Sequence, residues 1–314
     1  MKRTFLAAAM ATLMSTGAYS ESIGVSMALF DDNFLTVLRN GMVDYADGLD
    51  GVDIQVEDAQ NDVGKQLNQI QNFIASGVDA IVVNPVDTDA TIAMTKAAEA
   101  AGVPLVFVNR EPVNVDTLPD NQAFVASNEL DSGTLETQEV CRLLKDMGKG
   151  DGANVVIMVG ELQSQAARLR TQDVHDVVAT AECAFITVID EQVANFSRTQ
   201  GADLMTNWLS SGIEFDAVIA NNDEMAIGAI QALKSAGVSM ETMIVAGVDA
   251  TQDALAAMAA GDLDATVFQD AAGQGSGAVN AALALARGES VDQKVYIPFQ
   301  LVTPANLSGF TSKN

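Results

Sequence analysis

Short apolar runs alternate along this chain with longer segments in which apolar positions recur every three to four residues. Residues 23–28 are the first such run, Ile-Gly-Val-Ser-Met-Ala. Residues 33–46 follow with Phe34, Leu35, Val37, Leu38 and Met42 at helical spacing. The same order, strand then helix, is predicted at 52–56 and 63–74, and again at 80–83 and 90–101. A strand at 103–108 ends this series, and Gly102 closes the helix before it. The pattern then restarts with a long helix over 128–147. Strand and helix alternate at 153–159 and 166–179, 185–189 and 198–209, 217–220 and 224–236, 243–248 and 252–260. A strand at 265–268, a helix over 275–287 and an extended tail over 296–302 complete the chain. The strands are continuous apolar runs, as in parallel sheets covered by helices on both faces. Two βα series of similar length predict an α/β fold of two similar doubly wound parallel-sheet lobes. No Pro-rich or Gly/Ser-rich linker separates them, so the lobes should meet through short structured crossings.

Composition narrows what such a fold can do. The chain has 314 residues, room for two lobes, and is 48% hydrophobic with 6 Pro, which implies packed structure. It carries 42 acidic against 16 basic residues, a net charge of −26. That balance opposes binding to nucleic acid or to anionic lipid, both of which need a Lys/Arg surface. A single His argues against a His-based metal site or catalytic triad. His175 reads as a solvated helix residue, Trp208 as core, and the 13 Met as scattered core filler. The first twenty residues have the order of a signal peptide: basic Lys2 and Arg3, apolar 5–14, and a small-residue site at Ala18-Tyr19-Ser20 before Glu21. An exported mature chain is expected. Cys141 and Cys183 could then pair or remain two buried thiols. The absence of CxxC opposes thiol redox catalysis.

Ligands of open parallel sheets bind beyond the carboxyl ends of the strands. In order, those ends are followed by Phe30, Asp31, Asp32 and Phe34; by Asp58, Gln60 and Asn61; by Asn84 and Asp87; and by Asn109, Arg110 and Glu111. The second series supplies Glu161, with Arg168 and Arg170 beyond it, then Asp190, then Asn221, Asn222 and Asp223, then Asp249 and Gln269. Amides, carboxylates and arginines suit hydroxyls, which both donate and accept. Aromatic rings suit the C–H face of a six-membered ring. Simpler roles stand beside these. Asp249, Asn222 and Asp223 could cap helices, Phe34 could be core, and an Arg could be a surface ion-pair partner. Arg168 and Arg170 are two apart on a helix, so one should enter the cleft and the other face outward.

Residues 221–229 (Asn-Asn-Asp-Glu-Met-Ala-Ile-Gly-Ala) and 246–251 (Ala-Gly-Val-Asp-Ala-Thr) resemble the second lobe of periplasmic sugar-binding proteins of the ribose-binding type. So do residues 81–87, 166–170 and 265–269, in register over nearly the whole mature chain. Within that family, residues 30–35 (Phe-Asp-Asp-Asn-Phe-Leu) and 108–112 (Val-Asn-Arg-Glu-Pro) are most similar to the inositol- and rhizopine-binding branch. The resemblance implies a cleft closing on a small neutral polyhydroxy ligand, a cyclitol or monosaccharide. It gives hydroxyl-binding roles to Arg110 and Arg170, polar contacts to Asn222, Asp249 and Gln269, and ligand-sandwiching rings to Phe34 and Phe196. Asp32 and Asn109 match in position but exchange types with the ribose binders. Leu35 and Val248 stand where those have Phe, and Ala28 where they have Ser, which argues against ribose and for a wider pocket.

The resemblance further implies a monomer in the periplasm serving the permease of an ABC importer, with no cofactor, metal or catalytic residue. Its lobes would be residues 21–127 with 270–299, and 128–269 with 300–314, crossing near 127–128, 269–270 and 299–300. Ribose or hexose binding for transport or chemotaxis is the alternative. A repressor effector domain is opposed by the export signal and the charge. An enzyme is opposed by the lack of any nucleophile–base motif, GxGxxG or P-loop.

Overall fold

A computed structural model describes residues 20–313. The expected signal peptide therefore lies outside the described residues, apart from Ser20. The chain first builds β1 (Glu21–Met27), α1 (Asn33–Asp47), β2 (Val52–Asp58), α2 (Val63–Ser76), β3 (Ala80–Val83), α3 (Thr91–Ala101), β4 (Leu105–Val108) and β5 (Gln122–Ala126). It then builds α4 (Ser132–Asp146), β6 (Ala153–Val159), α5 (Gln165–Val178), β7 (Ile186–Val193), α6 (Arg198–Ser211), β8 (Ala217–Ala220), α7 (Asp223–Ser235), β9 (Ile244–Ala246), α8 (Gln252–Ala259) and β10 (Thr266–Phe268). Last come α9 (Ala271–Ala286), β11 (Lys294–Tyr296) and β12 (Gln300–Val302).

The strands form two separate parallel sheets. In the first lobe the order is β11-β5-β4-β3-β1-β2. In the second it is β7-β6-β8-β9, extended by bridges from Ala246 to Ala265 and from Asp249 to Phe268 and by the antiparallel pair β10-β12. β3, β4 and β8 are buried along their whole length, which is why they read as unbroken apolar runs. Each sheet is sandwiched: one face of the first packs on α1 and α9 and the other on α2 and α3, while α6 to α8 and then α4 and α5 cover the two faces of the second.

The chain passes between the sheets three times, and each passage is short because flanking residues are fastened to one side. Ser127 Oγ accepts a hydrogen bond from Gln274 of α9, whereas Glu129 is paired with Arg170 of α5. Asp270 caps α9 through Gly273 N. The Ile297 amide donates to Ala126 O, while Phe299 packs with Val248 and Val267, so the third passage narrows to Pro298.

The strands at 80–83, 153–159 and 217–220 coincide with the sequence pattern. Several segments differ from it: β7 runs on to Val193, past 189, and the tail read over 296–302 holds two strands, β11 and β12, in different sheets. The strand β5 was not anticipated: it follows β4 with no α-helix between them, outside the strand–helix alternation. Helix α4 begins at Ser132 rather than 128, since residues 127–131 form the first crossing. Helix α9 begins at Ala271 rather than 275, because the Asp270 cap starts it before its apolar periodicity does. Cys141 and Cys183 are disulfide-bonded, joining α4 to the turn before β7 with Cα atoms 5.8 Å apart. Trp208 is core, its indole N–H donating to Asp190, and His175 pairs with Glu191 at the surface.

Candidate ligand-binding site

The carboxyl ends of the two sheets face each other, and their loops supply the polar groups. At those ends the backbone is unusual. Among the described residues seven non-glycine positions have positive φ, and all seven follow strands: Gln60, Asn61, Asn109, Asn195, Phe196, Asp249 and Ala250. Each such conformation costs on the order of 1 kcal/mol, and such costs concentrate at functional sites. Three of the sequence-derived candidates are among the seven.

From the first lobe, the turn after β1 presents Asp32 and Phe34. Asp32 caps α1, accepting from Leu35 N at 2.7 Å. Burial pushes its carboxyl pKa up, against the pull of that amide and of Arg110. Asn109, at φ 67°, is held between Asn84 and Gln274 by hydrogen bonds of 3.2 and 3.3 Å. Arg110 is buried and its Nη1 donates to the carbonyls of Pro85 and Val86.

From the second lobe, α5 presents Arg170, 4% exposed. It donates to both oxygens of Glu129 at 2.8 and 2.9 Å, to Asn221 O at 2.7 Å and to Gln269 Oε1 at 3.2 Å. Burial works against this cation, but the charge and hydrogen bonds of Glu129 outweigh it and hold the pKa above the ordinary value. Arg168 is exposed and its guanidinium reaches the Leu162 carbonyl, so of the two arginines Arg170 faces the cleft. Asn222 caps α7 through Met225 N. Asp249, at φ 122°, is not a cap; Thr251 caps α8 instead. Burial pushes the Asp249 carboxyl well above the usual range, against the attraction of Arg170 3.9 Å away. The Phe196 ring lies against Gly160, where a Cβ would collide with it.

These residues enclose one cavity of about 390 Å³, lined by Asp32, Phe34, Leu35, Asn109, Arg110, Ser164, Ala166, Arg170, Phe196, Asn222, Asp249 and Gln269. All nine sequence-derived candidates thus converge. Leu35 lines the cavity as well, but Val248 does not: it is buried behind it against Val267 and Phe299, so it shapes the wall only indirectly.

Two carboxylates complete the arrangement that sequence reasoning did not place in the site. Glu129 supports Arg170. It sits at the end of β5, and seeing that strand would have marked it as a strand-end residue. Glu161 was noted at a strand end but given no role. It reaches Asn61 and Arg110 across the cleft. Asn33 also bonds Glu224, Thr88 bonds the Gln163 carbonyl and Gln165 bonds Glu111, so the lobes are closed on one another. Among the described residues no group of three His, Cys, Asp or Glu has metal-holding geometry, and no helix is long and apolar enough to cross a membrane.

The sequence family described as periplasmic binding protein domain matches residues 23–290. A Rhizobium meliloti protein provisionally named rhizopine-binding is 66% identical over 314 residues, the whole of both chains. The ribose import binding protein of Bacillus subtilis is 33% identical over 284 residues, 90% of this chain and 87% of that one. Among solved structures, an ABC transporter solute-binding protein from Bacillus halodurans C-125 with bound myo-inositol superimposes with a TM-score of 0.88 at 41% identity. The match covers 96% of this chain and all of the other.

Proposed function

The chain belongs to the periplasmic binding protein family, and from that premise we propose that it captures a cyclitol, myo-inositol or a close relative, between its lobes for an ABC importer. Members of this family bind solutes and are not enzymes. The observation that carries the ligand class is the lining of the cavity, which brings arginines, amides and carboxylates of both lobes together with two phenylalanine rings. The myo-inositol bound by the 41% identical Bacillus halodurans protein supports it. Arg110, Asp32 and Asn109 would bind hydroxyls from the first lobe. Arg170, Asn222, Asp249 and Gln269 would bind them from the second, with Phe34 and Phe196 against the ring faces. Contacts from both lobes let ligand binding favour the closed form. Residues 21–127 with 270–298 would move as one body and 128–269 with 299–314 as the other, the last boundary set one residue before the expected 299–300 because Phe299 packs with Val248 and Val267. The first twenty residues would direct export and be removed, leaving a periplasmic monomer that does not bind nucleic acid.

A thermal-shift and calorimetric screen of residues 21–314 tests this reading, because a ligand of the folded state raises the melting temperature by mass action. Myo-inositol, scyllo-inositol and rhizopine are compared with ribose, glucose and galactose. A shift with a cyclitol is expected. A shift with ribose or a hexose alone would overturn the cyclitol assignment and leave the family role intact.

A further inference from the structure

Glu161 follows β6 on the rim of the second lobe and is 7% exposed. Both of its oxygens accept hydrogen bonds from the first lobe: Oε1 from Asn61 Nδ2 at 2.9 Å and Oε2 from Arg110 Nη2 at 3.1 Å. Asn61 makes this contact from left-handed backbone, φ 54°. Arg110 therefore lines the cavity while its charge is answered by a carboxylate that arrives from the opposite lobe. On the far wall Arg170 is answered by Glu129 of its own lobe. Each cation of the cavity thus has a carboxylate of the protein set behind it, while the carboxylates of Asp32 and Asp249 line the cavity itself.

We infer that Glu161 is a specificity-determining residue: it completes closure over a polyol that brings no negative charge to Arg110, and it opposes closure over the corresponding sugar acids and phosphates. The inference rests on the functional reading above and deepens it. With the lobes apart, Arg110 lacks its partner from the other lobe and an anion can reach it. Closure then brings a second negative charge within hydrogen-bonding distance of the same guanidinium, in a site shielded from water. Like charges so placed repel strongly, since little solvent lies between them. Discrimination is accordingly exerted on the closed state. A neutral hydroxyl accepts from Arg110 without contesting Glu161 for the charge.

The test uses residues 21–314 with Glu161→Gln, which removes the charge and nearly keeps the shape, and Glu161→Ala as a second variant. The control is Asp31→Asn, an exposed carboxylate on the facing rim of the first lobe. Myo-inositol is compared with myo-inositol 1-phosphate, and glucose with glucuronate, by calorimetry and by small-angle scattering for lobe closure. The wild-type chain should bind and compact on the neutral member of whichever pair it accepts and not on the anion. Both Glu161 variants should bind the neutral ligand about tenfold or more weakly, through faster dissociation, because a bond to a charged group is lost. The neutral-to-anion affinity ratio should fall by at least about tenfold, and the anion should now compact the chain, with Asp31→Asn like wild type. An unchanged ratio in both variants, or an equal fall in Asp31→Asn, would overturn the inference while leaving the functional reading standing. Failure of the wild-type chain to bind any neutral polyol would overturn both.

Discussion

Beneath the cavity the two lobes are built from different chemistry. The first lobe holds its strand ends with neutral groups. Ser26 donates to Gln69, Gln66 bridges the Asn84 carbonyl and the Val86 amide, and Asn84, Asn109, Gln274 and Ser127 form a chain of side-chain hydrogen bonds. The second lobe uses charge. Arg170 is clamped by Glu129, Asp223 accepts from Thr251 and Thr266, and Glu136 of α4 and Asp173 of α5 are buried. Burial raises the carboxyl pKa of Asp173 and of Asp223 to about 7, and that of Glu136 well above its usual range. An amide network offers hydrogen bonds that do not change with pH. A carboxylate network offers stronger ones that do. The two halves of one site should therefore fail in different ways.

The largest effect should come from removing the charged centre. Arg170→Ala leaves Glu129 and Asp249 buried without their cation and should weaken ligand binding by about a hundredfold or more, measured by calorimetry. Arg168→Ala, on the exposed side of the same helix, should bind like wild type. Next, Gly160→Ala should push the Phe196 ring off its seat and weaken binding by about tenfold, since one wall of the cavity is displaced while its polar groups stay.

The third prediction sharpens the contrast between the networks. Asn84→Ala should cost about 1 to 3 kcal/mol of stability by leaving buried partners unpaired, and the loss in melting temperature should be the same at pH 5 and pH 8. Asp173 behaves otherwise. Its folded pKa of about 7 lies above the unfolded value near 3.9, so between the two the unfolded chain is ionised while the folded chain keeps its proton. Its contribution therefore falls as pH rises from about 4 to 7 and is level beyond. Asp173→Asn removes that dependence. It should raise the melting temperature at pH 8 by a few degrees and flatten the slope below it, with the remaining slope set by the other buried acids. A pH-independent gain would show that Asp173 is not the group responsible.

The sheets were legible in the sequence because burial on both faces leaves an uninterrupted apolar signature, as at 80–83 and 217–220. The polar candidates were legible because a parallel sheet puts ligand groups at one end of every strand. What escaped was the support behind them. Glu129 lies after a strand that breaks the alternation, since no α-helix separates β5 from β4, and the roles of Asn84, Gln274 and Glu161 depend on partners 25 to 165 residues away. Local spacing carries no trace of such pairings. The likeness to ribose binders suggested Val248 as a cavity residue, yet a smaller side chain there turns to pack on Phe299 instead.

The interleaved path of the chain has a consequence for how the protein is made. The first lobe is begun first, but α9 and β11, which cover one face and close one edge of its sheet, are the last large pieces to leave the ribosome. The second lobe has nearly all its strands by residue 268, lacking only β12. Domains fold as units once their parts exist. Until then the first lobe carries an apolar face covered only by α1 and an open sheet edge at β5. For nearly the whole of its synthesis the nascent chain cannot complete either lobe, a condition that would suit the export proposed above.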